Sequence, residues 1–297
     1  MTPFALARGV LLDLDGTLFD TAPDLINAMN TLREEQSLPP LPAAEFANAV
    51  GHGSAPMSAR AFHLSPDHPR FEPLRVRFLE LYHESLSAET RPYEGMEPML
   101  EALEAAGVPW GIVTNKPGWL TRPLLNELGY HERPDCLVTG DDIALRKPHP
   151  HQVLEGCRRL GLAPAECVVV GDAERDIQAG RSAGTMTLAA LYGYLSGDDH
   201  AERWGADGLI SHPLETLRWV DLGVAETAQS ATAGPHGYTG LLLAKGRARR
   251  VQWLLRTDVR MKRRGGGSYG PGGGAGGDAR DPEGGQRGRG GGGEVHL

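Results

Sequence analysis

Cysteine is scarce: the 297 residues hold three, Cys136, Cys157 and Cys167. An odd number with no C-x-x-C spacing excludes a disulfide framework and a zinc knuckle, and predicts a reducing, cytoplasmic setting. Long apolar runs are missing too. The opening MTPFALARGVLLDLDG passes from a short apolar stretch into carboxylates, with no small-residue cleavage site and nothing near the length of a membrane span. Neither export nor a membrane span is expected. Basic charge is sparse where a folded body is expected: 18 Lys+Arg face 32 Asp+Glu over residues 1–222, a net charge of −14. Such a body is a poor nucleic-acid surface, because neutralising phosphates takes clustered Lys and Arg. The remaining residues, 223–297, carry +6.

What is present is a rhythm of short apolar runs and helical periods. GVLLDL at Gly9–Leu14 reads as a buried strand that stops at Asp13, Asp15 and Gly16. A helix follows, with Thr21 as a capping residue, Pro23 in its first turn and Leu25, Ile26, Met29 and Leu32 at helical spacing up to Pro39–Pro42. Later segments alternate: MEPMLEALEAAG helix, WGIVT strand, TRPLLNELG helix, CLVTG strand, HQVLEGCRRLG helix, CVVVGD strand, ERDIQAGRSAG helix, TMTLAAL strand, GADGLI strand. This alternation predicts an α/β fold with a Rossmann-like, doubly wound parallel sheet, whose ligand crevice lies at the carboxyl ends of the strands.

Between Pro23 and Pro92 strand signals fail and helical ones dominate, as in EPLRVRFLELYHESL. The expected organisation is therefore a core of residues 1–22 and 93–222, a helical cap inserted at 23–92, and a tail at 223–297. From Gly265 the tail is glycine-rich with almost nothing apolar to bury, so its ordering entropy would go unopposed and it is expected to be disordered.

Four patches carry chemistry. Asp13 and Asp15 stand two apart on an extended segment, so both carboxylates can face one bound group. Gly16 allows the turn that brings backbone N–H groups toward phosphate oxygens. Asp13 suits a nucleophile that attacks phosphorus and forms an aspartyl phosphate, and Asp15 suits the acid, then base, of the two half-reactions. Two carboxylates and a phosphate repel one another, so a Mg2+ ion held by oxygen ligands is expected. Thr114 and Asn115, in Thr114-Asn115-Lys116, can bind phosphate oxygens without adding negative charge. Lys147 can pair with Asp13 and the transferring group. Asp172 can complete the metal site with Asp13 and Asp15, and Asp176, one turn further on, can support it. Taken singly each patch reads equally as a turn, a surface lysine or helix-terminal charge. Their order along successive strand ends joins them.

In that order the sequence resembles the haloacid dehalogenase superfamily, whose four motifs match Asp13 with Asp15, Thr114, Lys147, and Asp172 with Asp176, over residues 8–220. The resemblance implies an aspartate nucleophile, magnesium and a mobile cap, and the acid at Asp15 favours phosphate chemistry over dehalogenation. DLDGTLFDTAPDL, VTNKPGWLTRPLL and GDAERDIQAGRSAG resemble the phosphoglycolate phosphatase branch. YGYLSGDDHAERWGADGLISHPLE is similar to the allied N-acetylmuramic acid 6-phosphate phosphatases. The implied substrate is a small phosphorylated metabolite, 2-phosphoglycolate or N-acetylmuramic acid 6-phosphate. Gly51-His52-Gly53 falls where related caps carry a substrate-contacting loop, which makes His52 a candidate for specificity. A sugar phosphomutase would use the same covalent chemistry. RNA binding through Arg247, Arg249, Arg250, Lys262, Arg263, Arg264 and the QRGRGGGG segment is the reading of another class, with few aromatics there beyond Trp253 and Tyr269 to stack on bases.

Overall fold

β1, Gly9–Leu12, lies at the centre of a six-stranded sheet because all four of its residues are buried from both faces, as the central strand of a covered parallel sheet requires. In the computed structural model, residues 5–47, 49–195 and 199–223 are described. The tail beyond residue 223, with its basic residues and its expected disorder, lies outside them.

The other strands of the sheet are β4 (Trp110–Val113), β5 (Cys136–Val138), β6 (Cys167–Gly171), β7 (Met186–Ala190) and β8 (Gly208–Ile210). Their order is β5-β4-β1-β6-β7-β8, and every pairing is parallel. The chain fills one side of β1 with β4 and β5, then crosses to fill the other with β6, β7 and β8. The order thus reverses beside β1, and the crevice at the carboxyl ends of β1, β4 and β6 is the switch point where such sheets bind ligands. Helices α4 (Met96–Ala106), α5 (Gly118–Glu127), α6 (His151–Leu160) and α7 (Glu174–Ala183) make the crossovers. Leu11, Val113, Val138, Val153, Val169 and Ala179 form one apolar cluster with the three free, buried cysteines.

The inserted stretch holds α1 (Ala22–Glu35), α2 (Ser54–Phe62) and α3 (Phe71–Glu84). Met29, Leu32, Phe46, Met57, Ala61, Phe78 and Tyr82 are fully buried there, a second small core. Its two connections to the sheet meet as a ribbon that the sequence did not announce: β2 (Phe19–Asp20) pairs antiparallel with β3 (Arg91–Pro92). Strands of two residues carry no readable alternation. Asp24 on α1 fastens the ribbon's far side, accepting hydrogen bonds from the backbone N–H groups of Glu89 and Thr90 and from the Thr90 hydroxyl at 2.7 Å. The expectation that Thr21 caps α1 is corrected. The Thr21 hydroxyl donates instead to Asp15 at 2.6 Å, and the α1 amino terminus is closed by a distant side chain: Tyr194 accepts from the Thr21 and Ala22 N–H groups at 2.5 and 2.8 Å. No helix among the described residues is long and apolar enough to cross a membrane.

Candidate active site

Asp13 follows β1 directly, and its N–H bonds the Val170 carbonyl of β6, so the ladder itself fixes the carboxylate at the crevice. There it pairs with Lys147 at 2.8 Å. The Lys147 ammonium also meets Asp176 at 2.7 Å and donates to the Val113 carbonyl at 2.7 Å, so its three hydrogens each have a partner. Its backbone is fixed as firmly. The Lys147 N–H reaches Asn115 and Gln152, while the Gln152 amide donates to the Thr114 and Thr139 carbonyls at 3.0 Å. Burial works against the charge on this lysine, and Asp13 and Asp176 more than restore it, so its pKa is raised.

Asp172 directly follows β6 and is held by the Thr17 hydroxyl on one oxygen and the Tyr194 N–H on the other, both at 2.9 Å. Gly16 makes this possible. It adopts φ +84°, and a β-carbon there would stand 2.1 Å from an Asp172 oxygen. Asp176, in the first turn of α7, accepts from the Ala173 N–H at 3.0 Å and so caps its own helix while pairing with Lys147.

Asp13, Asp172 and Asp176 are all buried, and each offers an oxygen within 4.8 Å of the others. Burial, reinforced by Asp13 and Asp176, pushes Asp172 up to about 7, and burial likewise raises Asp13 against the pull of Lys147. Crowded carboxylates whose pKa values climb are a site short of positive charge, and hard oxygen donors at this separation fit a divalent cation such as Mg2+. Asp176 joins Asp13 and Asp172 in this carboxylate cluster, and the Asp15 side chain turns toward Lys116 at 2.8 Å and Thr21. Asn115 lies beside Lys147. Both ends of its side-chain amide are taken by the Lys147 backbone, at 2.9 and 3.1 Å, so that side chain positions the lysine. The Thr114 hydroxyl accepts from the Lys116 N–H at 3.1 Å, within the crevice.

Two cations escaped sequence reasoning. Lys116 is buried and bridges the core to the insert, joining Asp15 to the Tyr82 hydroxyl of α3, also at 2.8 Å. Burial lowers its pKa, and Asp15 and Tyr82 outweigh that and raise it. Desolvation pushes Tyr82 up to about 12. Arg175 sits among the acids; burial opposes its charge, and the fields of Asp176, Asp13, Asp172 and Asp15 together raise its pKa. Its signal was there to be read, since a cation in the first turn of a helix opposes the macrodipole and needs a reason.

Between insert and core lies a cavity of about 780 Å³. Asp13, Asp15, Thr114, Lys116, Arg146 and Arg175 form its core side, and His52, Ser54, Arg75 and Tyr82 face it from the insert. His52 therefore lines the same cavity as Asp13, from the insert. Trp119 and Val76, nearly half exposed, turn their apolar surface to the same space.

Residues 10–190, more than half the chain, match the haloacid dehalogenase-like hydrolase family. The chain is a haloacid dehalogenase-like hydrolase. This hydrolase is 42% identical over 219 residues to N-acetylmuramic acid 6-phosphate phosphatase of Pseudomonas aeruginosa, a match that covers 74% of the chain and 97% of that relative. It is 45% identical over 207 residues to phosphoglycolate phosphatase of Xanthomonas campestris, covering 69% and 93%. Among solved structures, a predicted phosphoglycolate phosphatase from Haemophilus somnus superposes with a TM-score of 0.64 at 28% identity, over 71% of this chain and 97% of that one. With such relatives the hydrolase is a phosphatase, a phosphoric monoester hydrolase, as its acids, threonine and lysine imply.

Proposed function

We propose that this phosphatase is magnesium-dependent, works through an aspartyl phosphate on Asp13, and takes a phosphorylated amino sugar of the N-acetylmuramic acid 6-phosphate kind in preference to 2-phosphoglycolate. The observation that supports the preference is the cavity. About 780 Å³, walled by Leu25, Val50, Met57, Val76, Leu79 and Trp119 as well as by polar groups, suits a ring with substituents. A two-carbon acid would leave most of that space and its apolar lining in contact with water. The buried free cysteines support a reducing, cytoplasmic setting.

Asp13 presents one carboxylate oxygen to Lys147 and keeps the other for attack on phosphorus, in line with the departing sugar oxygen. Asp15 uses one oxygen for Lys116 and Thr21, which leaves the second to hand a proton to the sugar oxygen and later to take one from the attacking water. Lys147 keeps Asp13 and Asp176 in place as charge shifts between them. Mg2+, held by Asp13, Asp172 and Asp176, would supply charge that offsets the phosphate's repulsion from these acids.

Phosphate release with Mg2+ present, across 2-phosphoglycolate, N-acetylmuramic acid 6-phosphate and a phosphoprotein, tests the proposal. The amino sugar phosphate is expected to give the highest kcat/KM and the phosphoprotein none. A higher value for 2-phosphoglycolate would overturn the preference. Transfer of phosphate between sugar positions, with no free phosphate, would make the protein a phosphomutase.

A further inference from the structure

Arg75 is the cation that the insert turns toward the cavity. Glu72, one turn earlier on α3, takes its Nε at 2.8 Å and one Nη at 2.5 Å through both carboxylate oxygens, so the guanidinium plane is fixed. The remaining nitrogen, Nη1, donates to a neutral partner, the Ser54 hydroxyl at 3.2 Å, and both residues line the cavity. Glu72 is 61% exposed whereas Arg75 is 28% exposed. Water therefore screens the glutamate on the outer side more than it screens the inner edge of the arginine. Glu80, the acid that also lines this wall, is drawn to Arg77 at 3.2 Å.

Arg75 lines the cavity from α3 of the insert, whereas Asp13 and Asp15 line it from the sheet. The transferring group belongs at Asp13 on the core wall, so an anion met by α3 lies on the leaving group. Both relatives' named substrates, phosphoglycolate and N-acetylmuramic acid 6-phosphate, carry a carboxylate besides the phosphate. We propose that Arg75 and Ser54 form a carboxylate-receiving site on the insert, which selects phosphomonoesters whose leaving group carries a carboxylate. Glu72 occupies the guanidinium's fork, so a carboxylate would be met by the remaining N–H of Nη1, with the Ser54 hydroxyl as second donor. This site rests on the phosphatase reading and adds to it the residue that reads the acid.

The test compares N-acetylmuramic acid 6-phosphate with N-acetylglucosamine 6-phosphate, the same sugar phosphate without the lactyl carboxylate, and with p-nitrophenyl phosphate. The wild type should favour the first over the second by about ten- to a hundred-fold in kcat/KM, the scale of one hydrogen bond to a charged group. Arg75→Ala should erase that preference through KM, with p-nitrophenyl phosphate turnover changed less than about twofold, and Arg75→Lys should restore part of it. Calorimetry in the Asp13→Asn background gives a readout free of turnover: adding Arg75→Ala should weaken binding of the carboxylate-bearing sugar and not of its analogue. Equal losses on all three substrates, or a preference that survives Arg75→Ala, would overturn the site. Should the wild type release phosphate from none of them, the phosphatase reading fails, and the calorimetric pair still decides whether the carboxylate is read. Arg75→Gln replaces Arg75→Ala if the latter unfolds.

Discussion

Lys147 spends all three ammonium hydrogens on Asp13, Asp176 and the Val113 carbonyl, so its work is to hold carboxylates at a fixed separation as much as to meet a phosphate. Arg175, which makes no hydrogen bond or ion pair with the described residues, lines the same wall with donors that can face phosphoryl oxygens. The division of labour between Asp13 and Asp15 follows from their partners. Asp13→Asn should abolish steady-state phosphate release with the fold intact, because an amide cannot attack phosphorus. Asp15→Asn should still bind Mg2+ and lose about 10² to 10⁴-fold in rate through proton transfer. Near-normal release by Asp13→Asn would remove it as nucleophile. Asp13, Thr114 and Asp172 stood out in sequence because each directly follows a strand end, and Lys147 because it lies in the loop after β5, in a fixed order. Lys116 stood inside a recognised patch, yet its partners, Asp15 and Tyr82, come from segments far apart in the chain. Only folding brings those three together.

The elements were legible wherever burial imposes a period. α3 occupies Phe71–Glu84, where Leu74, Phe78, Leu81 and Tyr82 recur at helical spacing, and each strand of the sheet falls on its apolar run. The ribbon of β2 and β3 was not legible, nor was the closure of α1 by a residue from beyond β7. Tyr194 makes that closure. Its hydroxyl accepts from Thr21 and Ala22 and donates to Asp20 at 2.9 Å, while its own N–H holds Asp172. One residue thus ties the connection to the insert to the acidic cluster. Tyr194→Phe leaves two backbone N–H groups without this acceptor at a partly buried site, which should cost about 1–3 kcal/mol. Thermal unfolding would show a fall of roughly 2–4 °C per kcal/mol, and an unchanged Tm would mean that water replaces the hydroxyl fully. The Tyr194 backbone N–H remains in that variant, so Asp172 should keep its place and Mg2+ affinity should change little.

For the whole molecule, the match to the Pseudomonas aeruginosa relative spans nearly all of that protein and about three quarters of this chain. The charge asymmetry seen in sequence has a structural counterpart, since an acidic body gathers three carboxylates at its centre. That cluster couples stability to pH with a definite sign. Asp172 sits at about 7 in the folded protein against 3.8 ordinarily, so between those values the folded state binds more protons than the unfolded one. Stability from this group is complete below about pH 4 and is lost as pH rises through about 7. Asp13, also raised, acts in the same direction. For the metal-free protein the loss should amount to a few kcal/mol, on the order of one to four, enough to lower Tm visibly between pH 5 and pH 8. Asp172→Asn, which has no proton to lose there, should flatten much of that slope. A divalent cation favours the ionised carboxylates, so Mg2+ should raise Tm far more at pH 8 than at pH 5, where protons compete for the same oxygens. Scanning calorimetry of wild type and Asp172→Asn, each with and without Mg2+ at both pH values, decides the matter: parallel slopes in the two metal-free proteins would show that Asp172 ionises as an ordinary carboxylate and that the cluster is not short of charge.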